Sequence, residues 1–248
     1  MNEKKHKHFP NPTIIEAVVE MRFAKLLEPI DNENLEGNFG SALKKDELDV
    51  YTASFNPTGM SLQHDKSKQI RFKLNLGEQI FVQIFPDRVS FHCLGKYPGW
   101  ASFQDEFESF RKKLCLALPN LQILQVGVRF INKLEQKKID QNLSFWLKPS
   151  PNYPKNILAM KSNYFYRWKW PLKINRWAQV CIAEAQITDN LKPLMFDIDV
   201  IQQIEKPIKL KPALSALAAE LHDDVFDIFI NSISLKYKKI LNSKQKGA

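Results

Sequence analysis

From Ile14 to Phe23 the chain reads IIEAVVEMRF, rich in β-branched residues and entered through Asn11-Pro12, which is the pattern of a strand. Residues 24–66 carry scattered Gly, Asn and Asp with little periodicity, and only Asp49 to Phe55 reads as a further strand there. Strict alternation then sets in. Ile70, Phe72, Leu74 and Leu76 point one way along Gln69–Leu76, and Ile80, Val82 and Ile84 do the same along Gln79–Ile84. Gly77-Glu78 between them makes a tight hairpin turn, and Pro86-Asp87 turns the chain again into a strand from Arg88 to Leu94. Beyond Gly99 the period changes. Phe103, Phe107, Phe110 and Leu114 recur at helical spacing, Ser102 and Asp105 offer a capping box, and Pro119 ends the segment.

The same order then comes a second time. Leu124 to Lys133, LQVGVRFINK, is again an entry strand, and a Pro- and Asn-rich insertion runs to about Asn163. Strands at 164–174, 177–187 and 193–201 form a meander, and a long helix opens at Pro212 with the stripe Leu214, Leu217, Leu221, Val225, Ile228, Ile233 and Ile240. Val18 matches Val126, Phe91 matches Phe196 and Phe103 matches Leu214 at nearly constant separation, which predicts two copies of one unit. Each unit is a strand, an insertion, a three-strand meander and a helix. Because the strands alternate and each helix has one apolar stripe, the helices must cover a single sheet face. The expected fold is therefore α+β, with two similar β-rich halves, 1–120 and 121–248, fused as one structural domain. Joined edge to edge they would form one curved, saddle-like antiparallel sheet of about eight strands, with both helices on its convex face.

Composition sharpens this picture. With 248 residues, 44% of them hydrophobic, the chain can bury a substantial core. Its net charge is +9, but Lys4, Lys5 and Lys7 at one end and Lys236, Lys238, Lys239, Lys244 and Lys246 at the other supply nearly all the excess. The body is close to neutral, and the segment from about 236 reads as a basic tail suited to phosphates or to solubility. No run reaches the roughly 18 apolar residues of a membrane span, and no apolar stretch follows the basic start. A cytoplasmic protein with no membrane partner is expected. Cys93, Cys115 and Cys181 sit among apolar neighbours and read as buried thiols.

Several of these segments carry a resemblance. Pro12-x-Ile14-x-Glu16-Ala17-x-x-Glu20-Met21-x-Phe23, Tyr97-Pro-Gly-Trp100, Gly127-Val-Arg129-Phe-Ile-Asn132, Phe196-Asp-Ile-Asp199 and a late Leu221-His222 occur in that order over nearly the whole chain. In this the chain resembles a sporadically distributed bacterial protein family with no established activity. Its patchy distribution implies a role in mobile-element or phage-defence conflict, and no catalytic residue is inherited from it. Thr13 departs from the apolar residue usual at that position.

The chemistry-bearing residues give two readings. Asp197 and Asp199 are two apart on a strand and share a face, and Glu184 on the preceding strand is placed to join them. Three such carboxylates need a divalent cation or basic neighbours, and with Mg²⁺ or Mn²⁺ they would make a phosphoryl-transfer site such as a nuclease. The other reading has no cofactor: Arg129 forks onto one of the aspartates and Asn132 caps backbone nearby, with Glu16, Glu20 and Arg22 repeating the pattern in the first half. His92 and His222 form no metal-ligand spacing, and His222 reads as a polar-edge helix residue. Nucleotide-binding glycine loops and a G-x-S-x-G elbow are absent.

Tyr164-Phe-Tyr-Arg-Trp-Lys-Trp170 alternates aromatic and cationic positions. Strand geometry sends Tyr164, Tyr166, Trp168 and Trp170 to one face and Phe165, Arg167 and Lys169 to the other. The four rings are expected under the helices, leaving the cations on the uncovered side. The reading overall is a non-enzymatic binding module whose ligand is a nucleic acid or a protein encoded nearby, engaged through Arg129, Asn132, Arg167, Lys169, Asp197 and Asp199. The alternative is the metal-dependent enzyme built on Asp197, Asp199 and Glu184.

Overall fold

The first strand of the chain lies near the middle of the sheet. In a computed structural model, residue 9 and residues 12–56, 59–135, 142–150, 155–160, 164–184 and 193–243 are described, with backbone alone over 49–68 and at 155. The first half comprises β1 (Ile14–Phe23), α1 (Pro29–Phe39), β2 (Leu43–Asn56), β3 (Gly59–Asn75), β4 (Ile80–Phe85), β5 (Arg88–Leu94) and α2 (Trp100–Ala117). The second comprises β6 (Gln122–Leu134), β7 (Phe165–Lys173), β8 (Arg176–Glu184), β9 (Leu194–Lys209), α3 (Ala213–Ser232) and α4 (Leu235–Asn242). The described strands form one nine-stranded sheet in the order β2-β3-β4-β5-β1-β6-β9-β8-β7, antiparallel throughout. The halves meet where β1 pairs with β6, Val18 opposite Arg129 and Val19 opposite Val128.

Alternation decides which face is covered. Ala17, Val19 and Met21 of β1, Val89, Phe91 and Cys93 of β5, Val126, Val128 and Phe130 of β6, and Phe196, Ile198 and Val200 of β9 are buried on the helix side. Phe91 meets Phe103, Phe107 and Phe110 of α2 at ring-centroid distances of 5.3, 5.6 and 5.7 Å. Each ring so buried contributes about 1.5–3 kcal/mol, which is what fixes α2 on this face. Leu214, Ala218, Leu221 and Val225 do the same for α3.

A polar clamp joins the two helices. Arg111 of α2, only 4% exposed, forks onto Glu108 at 2.7 and 2.6 Å and donates to the Leu210 carbonyl at 2.7 Å, while Ser215 Oγ of α3 donates to the same Glu108. The fork pulls the Glu108 carboxyl down to about 2.

Four expectations need correction. The sheet has nine described strands against about eight expected, and the strand expected at Asp49–Phe55 is the end of a longer β2, which pairs with β3 from Leu43 opposite Leu74 to Asn56 opposite Gly59. Its charged start, LKKDEL, hid only the first part. α1 was not anticipated: it has no apolar stripe and buries only Leu35, although Glu28 donates its backbone N–H to Asp31 Oδ2 at 2.9 Å in a capping box. α2 starts at Trp100 instead of at the Ser102-Asp105 pair, since Gly99 takes a φ of 94° that favours glycine and caps the helix. The last helix is two helices. Ser234 is extended, with its Oγ accepting from the Tyr237 N–H, so it ends one and caps the next. Lys236, Lys238 and Lys239 therefore sit on α4, anchored by buried Tyr237 and Leu241, and not in a tail. Lys4, Lys5, Lys7, Lys244 and Lys246 lie outside the described residues.

Candidate binding face of the sheet

The face opposite the helices collects the other half of every strand. Cross-strand pairing sets its rows: Phe81, His92, Val18, Arg129, Asp199, Gln179 and Lys169 follow one another from β4 to β7. A parallel row runs Leu94, Glu16, Ile131, Asp197, Cys181 and Arg167.

At the centre, Arg129 donates through Nε and Nη2 to the two Asp197 oxygens at 2.8 and 2.7 Å. This bidentate pair holds Arg129 charged over the whole working range. Asp199 accepts no hydrogen bond from any described residue, and burial pushes its carboxyl up to about 7 against the opposing pull of Arg129. On β5 and β1, His92 places Nδ1 2.8 Å from Glu16 and Nε2 2.9 Å from Ser90, while its ring stacks on Phe81 at 4.4 Å. The His92 hydrogen bond lowers the Glu16 carboxyl despite partial burial. Glu20 lies between Arg22, at 3.2 Å, and Arg88, at 3.7 Å.

Between these groups is a cup of about 260 Å³. Its floor is low because Val18 is small and Gly127 has no side chain. A Cβ on Gly127 would stand 3.6 Å from Asp199 Oδ1 and from Ile201.

Toward β7 the character changes. Arg167 donates to Gln179 Oε1 at 2.7 Å, and Lys169 Nζ stands 4.0 Å from the centre of the Trp177 ring, a cation–π contact. Phe165 is 70% exposed beside them. Tyr166, Trp168 and Trp170 pack against the core and Tyr164 is buried, so the helix side holds the even rings as expected. The cations nevertheless have aromatic neighbours on their own face. These come from β8 and from Phe165.

No known family model and no curated protein matches this chain.

Two of the candidate residues fall elsewhere. Asn132 is on the helix side, 3% exposed, accepting from Thr13 Oγ1 at 2.9 Å and donating to the Phe196 carbonyl at 3.2 Å. It ties the entry of β1 to β6 and β9. Glu184 pairs with Leu194 and shares the parity of Val180 and Ile182, so it faces away from Asp197 and Asp199. The three carboxylates are not one cluster, and among the described residues no group of three or more His, Cys, Asp or Glu is arranged to hold a metal ion. Arg176 likewise turns to the helix side, bonded to Asp224 at 2.7 Å and Glu220 at 3.0 Å. His222 is buried rather than at a polar edge, its ring stacked on Trp100 at 4.2 Å.

His92, Gly127 and Phe165 are the site residues that the sequence did not put forward as binding residues. His92 carried a signal all the same: it occupies a strand position between the core residues Phe91 and Cys93. Cys93 is buried, Cys115 and Cys181 are partly so, and Cys181 is on the open face beside Asp197. No described helix is long and apolar enough to cross a membrane.

Proposed function

We propose that the protein is a non-enzymatic binding module that takes a single-stranded nucleic acid across the uncovered face of its sheet. The observation that carries this reading is the cluster of Phe165, Arg167, Lys169 and Trp177 on one face at the β7–β8 end. Binding of single strands without strict sequence choice needs cations for phosphates and exposed rings for bases, and here the two stand about one strand spacing apart. Arg167 and Lys169 meet the backbone, and Trp177 and Phe165 stack. Arg129, Asp197 and Asp199 continue the same surface toward the centre. In this reading the two halves are similar units in a saddle-like arrangement, and the nucleic-acid strand crosses the seam between them.

The test is fluorescence anisotropy with a labelled single-stranded oligonucleotide in EDTA. Binding should persist without divalent ions, and Arg167→Glu with Lys169→Glu should weaken it at least about tenfold. Affinity unchanged in that double variant would sink the reading. The metal-dependent alternative is not favoured, because Glu184 faces the helices and Asp197 is engaged by Arg129.

A further inference from the structure

The cup at the seam has three hydrogen-bonding groups with nothing to bond. Asp199, Gln83 and Gln125 all line it, and none makes a side-chain hydrogen bond with a described residue. All three are partly exposed, so their hydrogen-bonding atoms are open to a ligand that enters the concave surface. The cup is also bare at Gly127, whose missing side chain leaves room beside Asp199 Oδ1.

The position relative to the cationic patch matters. Asp199 and Lys169 lie in one cross-strand row with only Gln179 between them, two strand spacings or about 10 Å apart. A strand held by Arg167 and Lys169 and stacked on Trp177 therefore has its next nucleotides over the cup.

We propose that the cup between β5, β1, β6 and β9 receives one unpaired nucleobase of that strand, its edge read by Asp199, Gln83 and Gln125 above the bare floor at Gly127. The inference rests on the nucleic-acid reading and names what this part of the surface adds to it. Phosphate is an unsuitable occupant, because Glu16 and Glu20 stand on the rim and Arg129 is already neutralised by Asp197. A base edge is suitable. It alternates donors and acceptors, as do an amide and a carboxylic acid. Burial holds Asp199 partly protonated near neutral pH, so it offers an O–H donor next to a C=O acceptor, with Arg129, Asp197, Glu20 and Arg167 as the charged groups facing it.

The test compares labelled single-stranded homopolymers of dA, dC and dT with an abasic phosphodiester chain of the same length, by anisotropy in EDTA. The wild-type protein should bind at least one homopolymer about tenfold or more tighter than the abasic chain. Gly127→Ala, whose methyl fits at ordinary contact distance, should reduce that preference severalfold with thermal unfolding near wild type, and Asp199→Asn should reduce it severalfold with unfolding at or above wild type. A preference that survives both substitutions overturns this inference and leaves the binding reading standing; equal binding of abasic chain and homopolymers removes stacking on Trp177 and Phe165 as well and overturns both. If none of the chains binds at low salt, the binding reading falls and the base pocket with it.

Discussion

Arg129 stands directly opposite Asp199 in the β6–β9 ladder, yet its guanidinium forks onto Asp197, two residues along. The diagonal choice leaves Asp199 charged only at a cost. Its folded value, about 7, is raised above the ordinary 3.8 mainly by burial, with Asp197 and Glu20 adding to the shift. The folded state therefore holds this proton more tightly than the unfolded chain. The group costs nothing below about pH 4, and its cost grows to full size as pH rises through about 7. Asp199→Asn should be more stable than wild type at pH 8 by roughly 1–4 kcal/mol and close to it at pH 4. Urea unfolding at the two pH values checks this; equal stability at pH 8 would show that the carboxylate is compensated.

The Glu108–Arg111 fork has the opposite sign. Glu108 falls from 4.5 to about 2 in the fold, so its contribution is complete above about pH 4.5 and is lost as pH falls toward 2. Arg111→Ala strands Glu108 and frees the Leu210 carbonyl, and should cost about 3 kcal/mol at pH 7. The difference between variant and wild type should shrink in acid unfolding.

Trp100 and His222 stack at 4.2 Å with 13° between planes, joining the start of α2 to the middle of α3. His222→Ala should cost about 2–4 kcal/mol through the lost contact and the cavity behind it. A double-mutant cycle with Trp100→Ala should return a coupling of about 0.5–1.5 kcal/mol. Additive losses would mean that the two rings pack independently.

Each phosphate contact on a single strand contributes about 0.7 to the slope of log affinity against log salt. Replacing both Arg167 and Lys169 by Gln should therefore flatten that slope by about 1.4. Trp177→Ala should weaken binding about tenfold and leave the slope unchanged. A slope that moved with Trp177 would mean the ring acts by placing Lys169 instead of by stacking.

Much of the fold was legible because apolar residues recur with period two in β4, β5, β8 and the first half of β9, where one face is core. That Tyr166, Trp168 and Trp170 share a face followed from parity, and that this face meets the helices followed from the large residues a one-layer sheet needs beneath them. α1 and the charged start of β2 were hidden because neither has a clean apolar face. The fork between Arg129 and Asp197 was expected as one of two uses of those aspartates. Glu184 was misplaced because a face can be assigned within a strand from sequence but the relation between strands depends on register, whereas Asn132, three residues from Arg129, is on the opposite face by parity within β6 itself. The cup could not have been read off the chain, since β1 and β9 are far apart in sequence and meet Gly127 only through β6.

The pairing of β1 with β6 also constrains how the chain is made. β1 is paired on one side by β5 from its own half, but its other edge waits for residues 122–134. Until those emerge, the backbone of Ile14–Phe23 is an open edge with Val18 and Val19 along it, able to pair with the same strand of a second chain. During synthesis, then, the seam is where two copies can exchange halves, and prompt arrival of β6 is what keeps each copy to itself.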